Sequence, residues 1–214
     1  MTETAGPVLE TEPAAAVTLF GERIELARSF TNELARRGEE LGLIGPLELP
    51  RLWTRHILNS AVLAPLLEER GRVADVGSGA GLPGLVLAIA RPDVHLTLIE
   101  PMERRVEWLN SEAERLGLDN VDVVRARAED VADDIVVDQV TARAVSALSK
   151  LIPLTVPLVR SGGQLILMKG ARVDEEIEKA RKVILRKRLT DVEVLELGVG
   201  VVEETTRVFR ATVD

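Results

Sequence analysis

Residues 73–84 read V-A-D-V-G-S-G-A-G-L-P-G. Gly77, Gly79 and Gly81 alternate there, and Pro83 and Gly84 lead into the apolar run Leu85 to Ala90. Missing β-carbons let a backbone approach a ligand closely, and a helix N-terminus behind them points free N–H groups into the same space. That combination suits a nucleotide-like molecule. Glu100 ends the next apolar run, where a carboxylate can accept hydrogen bonds from two ribose hydroxyls. Arg127, Ala128, Glu129 and Asp130 follow the run after that, where a backbone N–H or a carboxylate can meet the edge of a base. Asp75 precedes the glycines and is placed to face an ammonium group or its water shell.

A strand–helix alternation must hold these residues. Strands are predicted over 72–76, 95–100, 121–125, 136–142 and 164–168, with helices over 83–90, 103–116, 146–159 and 174–185. Gly162-Gly163 is read as the turn into the fifth strand. Two consecutive strands, 192–197 and 207–213, close the sheet without a helix between them. Before this core, Phe20, Ile24, Ala27, Phe30 and Leu34 recur at spacings of three and four, which predicts an amphipathic helix over 18–37. A second helix is predicted over 52–67, after a Gly/Pro-rich break at 42–50. The expected fold class is α/β, a Rossmann-like, mostly parallel sheet with helices on both faces and an N-terminal helical extension. Such sheets bind ligands outside the strands' carboxyl ends, where the glycine turn and Glu100 both fall. Residues 1–16 read as a disordered tail and 17–214 as a single domain, divided into an extension (17–70) and a core (71–214).

Composition excludes several classes. The chain has no cysteine, which removes disulfides, thiolate metal sites and any cysteine nucleophile. No metal is expected. A net charge of −8 argues against coating nucleic acid by bulk electrostatics. Charge is uneven, however: residues 179–188 hold six basic residues and no acid, which reads equally as a solvated face or an RNA patch. No apolar run approaches a membrane span, and residues 1–16 lack the basic and apolar regions of a secretory leader. A cytoplasmic protein is expected.

Two ligands fit the glycine turn. A dinucleotide such as NAD matches through Gly79, Gly81 and Gly84, with Glu100 as the acid about 20 residues on. S-adenosylmethionine fits better, because Asp75 precedes an extra alternate glycine and the sheet closes with paired strands. For a methyl acceptor, C5 of a pyrimidine generally needs a cysteine, and exocyclic amines commonly need a Pro-Pro loop; the chain has neither. Ribose hydroxyls need a base, and Lys150 and Lys169 form no clear set with Asp138. A ring nitrogen such as guanine N7 needs only positioning. An NAD-dependent oxidoreductase, a small-molecule methyltransferase and a donor-binding assembly factor remain alternatives.

The chain resembles the bacterial ribosomal RNA small subunit methyltransferase G family, also known as the glucose-inhibited division protein B family, from about Phe20 to Val213. Its marks are R-H-I-L-N-S at 55–60, D-V-G-S-G-A-G-L-P-G at 75–84, L-I-E-P-M-E-R-R-V-E-W-L at 98–109, A-R-A-E-D at 126–130, T-A-R-A-V at 141–145 and M-K-G at 168–170. The resemblance implies a class I S-adenosylmethionine-dependent methyltransferase acting on N7 of one guanine of 16S rRNA, guanine 527 in the family. By position it puts cofactor contacts on Gly77, Leu82, Ala128, Glu129 and Arg143, and makes Glu100 the ribose-binding acid; Gly79 joins them from the turn itself. Asn59 and Glu100 stand where many relatives have Asp. No catalytic side chain is assigned. Arg55, His56 and Lys169 are the candidate RNA contacts, with Arg104, Arg105 and Arg172 as further basic residues near the same end. The expected partner is 16S rRNA within the small ribosomal subunit or an assembly intermediate, bound by a monomer.

Overall fold

The computed structural model describes residues 8–214. Helices α1 (Ala15–Phe20) and α2 (Ile24–Arg37) lead to an irregular helical stretch that ends in the single turn α3 (Asn59–Ala61). Strands β1 (Arg72–Val76), β2 (His95–Ile99), β3 (Val121–Val124), β4 (Val137–Arg143) and β5 (Val159–Lys169) then pair in parallel. Between them run α4 (Gly84–Ala90), α5 (Glu103–Arg115) and α6 (Leu148–Thr155). After α7 (Val173–Arg186), β6 (Leu189–Leu197) and β7 (Thr206–Val213) close the sheet antiparallel, in the order β3-β2-β1-β4-β5-β7-β6. The order reverses between β1 and β4.

Alternating side chains serve two cores, as the period of a strand requires. Val73, Leu96, Leu98 and Ile166 face the core that includes Phe20, Phe30, Leu34, Leu85 and Trp108. Ala74, Val140, Leu165 and Phe209 face the core that includes Leu148, Leu151 and Ala180. The N-terminal extension therefore covers the same sheet face as α4 and α5, and α6 and α7 cover the other.

Several boundaries differ from the sequence reading. Of the tail expected over 1–16, residues 1–7 lie outside the described residues, whereas 8–16 are strapped to the extension. Glu10 N–H donates to Leu49 O at 2.9 Å, the Glu10 carboxylate accepts from Thr54 N–H at 2.9 Å and from the Thr54 hydroxyl, and Glu12 pairs with Arg28 at 2.6 Å. The predicted helix over 18–37 starts earlier and breaks at Gly21, whose φ is +51°. The predicted helix over 52–67 is a π-helix over Leu52–Leu58, then α3, then a 3-10 turn at Ala64–Leu66 that holds Pro65. Pro157 sits in a 3-10 turn that ends α6 early, so β5 begins at Val159 and contains Gly162-Gly163. A β-carbon on Gly163 would lie 2.4 Å from Asp138 O, so the neighbouring strand comes too close for any side chain there. β6 begins at Leu189, three residues early, with a register shift between Thr190 and Glu193.

Candidate active site

At the end of β1 the chain turns through Gly77, Gly79 and Gly81, with φ of +72°, +55° and +91°. Residues with a β-carbon avoid this region. Gly77 and Ser78 N–H groups donate to Ile99 O at 2.8 and 3.3 Å, so the turn is fastened to the end of β2. Trp108 Nε1 donates to Ala80 O at 3.0 Å and fastens it to α5. A β-carbon on Gly77 would lie 2.8 Å from Val145 Cγ2, but one on Gly79 would meet nothing nearer than 3.8 Å. The turn is packed at its first glycine and open at its second.

Asp75 lies beneath the turn, fully buried, and is not part of the cavity wall. Its Oδ2 accepts from Gly84 N–H at 3.0 Å and its Oδ1 has no partner. Burial pushes the carboxyl up to about 7. The expected ammonium-facing role is thereby corrected: Asp75 clamps the start of α4 to β1. Glu100, 2% exposed, does reach the cavity. Its Oε2 accepts from Gly79 N–H and its Oε1 from Met102 N–H, both at 3.0 Å. A carboxylate oxygen has two lone pairs, so each retains one acceptor site.

The cavity, about 650 Å³, opens over the glycine turn beside the β1–β4 reversal, and Gly77, Gly79, Leu82, Glu100, Glu129 and Arg143 all line it. Ala128 does not: its side chain is buried in the core on the α6 side, between the cavity-lining Arg127 and Glu129. Arg105 also lines the cavity, with Nη1 3.9 Å from Glu100 Oε2, whereas Arg104 lies on a separate shallow surface with Glu103 and Glu107.

Arg143 ends β4 and reaches into the N-terminal extension. Its Nη2 donates to His56 Nδ1 at 2.7 Å and to Arg55 O at 3.1 Å, and His56 Nε2 lies 2.6 Å from Glu48 Oε2. Burial pulls Arg143 down to about 10, with the Arg55 charge acting in the same direction. Burial also lowers His56, and Arg143 reinforces it. For Glu48, burial raises the carboxyl, but hydrogen bonds from His56 and Arg51 outweigh it and hold it below its usual range. A neutral His56 accepts at Nδ1 and donates from Nε2, so Glu48, His56 and Arg143 form one directed chain. Arg143 makes no salt bridge to Asp75 among the described residues, and Asp75 Oδ1 has no partner.

A second cavity of about 380 Å³ shares Arg143 and Ala144 with the first and continues over the ends of β4 and β5. Arg55, Asn59 and Lys169 line it. The three candidate RNA contacts thus divide: His56 falls on the first cavity, Arg55 and Lys169 on the second. Asp138 is at the opposite end of β4, bonded to Arg160 at 2.7 Å and to Arg72 N–H at 2.7 Å, and cannot serve a base at this site. Sequence reasoning missed Glu48, which sits inside the Gly/Pro-rich break, and Glu176 and Thr206, which carry no local motif.

A mostly parallel sheet with this reversal, glycine turn and strand-end carboxylate has the fold of the class I S-adenosylmethionine-dependent methyltransferases. Solved structures share it: fibrillarin from Aeropyrum pernix, itself in complex with S-adenosylmethionine, aligns with a TM-score of 0.56 at 17% identity over 74% of this chain and 75% of that one. Precorrin-6y C5,15-methyltransferase from Geobacter metallireducens aligns with a TM-score of 0.55 at 15% identity over 80% and 91%. At such identities the likeness concerns the fold. Sequence relatives go further. The ribosomal RNA small subunit methyltransferase G of Clavibacter sepedonicus is 65% identical over 96% of this chain and 97% of its own length, and that of Leifsonia xyli 65% over 96% and 98%. The family described as rRNA small subunit methyltransferase G matches residues 23–204, and the chain belongs to it.

Proposed function

We propose that this protein binds S-adenosylmethionine in the glycine-turn cavity and methylates N7 of a single guanine of 16S rRNA, presented on the small ribosomal subunit or an assembly intermediate. It does so as a cytoplasmic monomer in which residues 17–214 form one methyltransferase domain. The supporting observation is the buried Glu100 carboxylate, held by Gly79 and Met102 N–H groups in the same cavity as Arg143. Its remaining acceptor sites suit two ribose hydroxyls. The open space at Gly79 admits the ligand, and the backbone beside Ala128, between Arg127 and Glu129, meets the adenine edge. Arg143, common to both cavities, aligns donor and acceptor.

S-adenosylmethionine supplies an electrophilic methyl: the N7 lone pair forms the new N–C bond, the sulfonium S–C bond breaks with its electron pair moving to sulfur, and no proton is transferred. The protein therefore has to orient two molecules in line and exclude water, and needs no general base. The net charge of −8 confines RNA contact to local cations such as Arg55 and Lys169. The test is to incubate the protein with labelled donor and small subunits lacking the modification, then map the labelled nucleotide. Label on one guanine N7 of 16S rRNA is expected; no incorporation, or equal incorporation into protein-free RNA, contradicts the reading.

A further inference from the structure

The second cavity contains a side-chain pair whose hydrogen-bonding capacity is only partly used. Lys169, at the end of β5, donates from Nζ to Ser146 O at 2.9 Å and lies 2.8 Å from Glu176 Oε2. Its ammonium has three N–H groups, so one remains. Glu176, in the first turns of α7, also accepts Leu148 N–H at 3.0 Å, again through Oε2. Both contacts use one carboxylate oxygen, and Oε1 remains for a ligand. The pair thus offers one donor beside one anionic acceptor, both on the wall of a cavity that adjoins the donor site through Arg143 and Ala144. Thr206 lines the same cavity, 6% exposed, with no partner for its hydroxyl. Lys169, Glu176 and Thr206 thus present a donor, an anionic acceptor and a hydroxyl on the wall of one cavity.

We propose that Lys169 and Glu176 read the acceptor base as guanine: Lys169 donates to O6, and Glu176 Oε1 accepts from N1–H and the 2-amino group. This inference rests on the methyl-transfer reading above. Guanine carries N7 and O6 side by side, followed by two donors, N1–H and N2–H. With N7 directed at the shared wall of Arg143 and Ala144, O6 comes next and the two donors after it. Adenine in the same orientation would turn its 6-amino donor toward the Lys169 ammonium and an acceptor nitrogen toward the Glu176 carboxylate. Both encounters repel, so the pair rejects adenine as well as binding guanine. The base reaches this cavity only if extruded from its stack, as in other enzymes that modify bases.

The test uses full-length protein and small subunits carrying guanine, inosine or adenine at the modified position. Inosine lacks only the 2-amino group. Donor affinity is measured by calorimetry, and kcat/KM by label transfer. For Glu176→Gln and Lys169→Met the expected result is donor affinity within about twofold of wild type and a loss of at least tenfold in kcat/KM on guanine subunits. Glu176→Gln should also lose the wild-type preference for guanine over inosine. Unchanged kcat/KM in both variants, retained guanine-over-inosine preference in Glu176→Gln, or donor affinity falling in step with activity overturns the assignment. If Glu176→Gln does not fold, Lys169→Met decides through guanine against adenine: unchanged rejection of adenine overturns it. A wild-type protein that labels no guanine refutes the methyl-transfer reading itself, a separate outcome.

Discussion

The two halves of the strand-end surface are built differently. Over β1 and β2, the donor cavity takes just under half of its wall from two short segments, Gly77 to Leu82 and Glu100 to Arg105, with Leu43 to Gly45, Glu48 and His56 of the extension facing them. Backbone N–H groups do much of the holding there, including the two that grip Glu100. Over β4 and β5, the second cavity takes Arg55 and Asn59 from the extension, Arg143 from β4, Lys169 from β5, Glu176 from α7 and Thr206 from β7. Side chains from distant segments set that half: Arg143 and Lys169 are held by carbonyls and other side chains, whereas Asn59 Oδ1 and the Thr206 hydroxyl have no partner among the described residues. A small metabolite that never varies can be met by a compact backbone motif. A base presented by a macromolecule needs separate side-chain contacts that distinguish it from other bases. Arg143 belongs to both halves, and the Glu48–His56–Arg143 chain ties it to the extension.

Substitutions in each half have different expected consequences. The largest effect is expected from Gly79→Val. A β-branched residue at φ +55° costs on the order of 1–3 kcal/mol and fills the open side of the turn. Calorimetric titration should show donor affinity reduced about a hundredfold. Arg143→Met removes charge-assisted hydrogen bonds worth about 1.5–3 kcal/mol, and transfer assays should show kcat/KM reduced about 10- to 100-fold. It is the one substitution expected to affect both halves.

Glu48→Gln acts through His56 and should lower kcat about threefold, the scale of one weakened hydrogen bond. Its signature is the pH profile. Wild-type His56 is neutral because burial lowers it, so activity is lost only as pH falls through that depressed value, when Nδ1 is protonated and can no longer accept from Arg143. Glu48 raises His56, so removing its charge should move the acid limb to lower pH.

Asp75→Asn should change least at the ligand sites, with donor affinity within about threefold, because Asp75 faces Gly84 rather than the cavity. Its effect is on stability. The folded carboxyl titrates at about 7, above its ordinary 3.8, so the folded state holds the extra proton between those values. The contribution of Asp75 to stability should therefore fall as pH rises from about 4 to 7, and denaturant melts should show wild-type stability declining relative to Asp75→Asn across that range.

The same contrast explains what could be read in advance. Gly77, Gly79 and Glu100 can be picked out in the sequence because they lie at strand ends within local motifs, and strand–helix alternation brings those ends to one cavity; Leu82, which lines the same cavity, is implied only by the family resemblance. Asp75 differs, because the sequence of a carboxylate before a glycine turn is the same whether it faces the ligand or the helix behind the turn. Its burial is a property of the packed fold. Glu48 and Glu176 left no trace because each is an ordinary acid until the π-helical stretch turns His56 onto Glu48 and the end of β5 brings Lys169 to Glu176. The π-helical turn at Leu52–Leu58 was invisible for a related reason: its residues are ordinary helix formers, and its neighbours are Glu10 on the preceding strap and Arg143 on β4.

Calorimetric titration of S-adenosylmethionine into the wild type, Gly79→Val and Glu176→Gln tests the division of labour most directly. If the halves are separate, affinity collapses in Gly79→Val and stays within about twofold of wild type in Glu176→Gln. Equal loss in both would show that donor and acceptor share one site, and full retention in Gly79→Val would show that the glycine turn does not hold the donor.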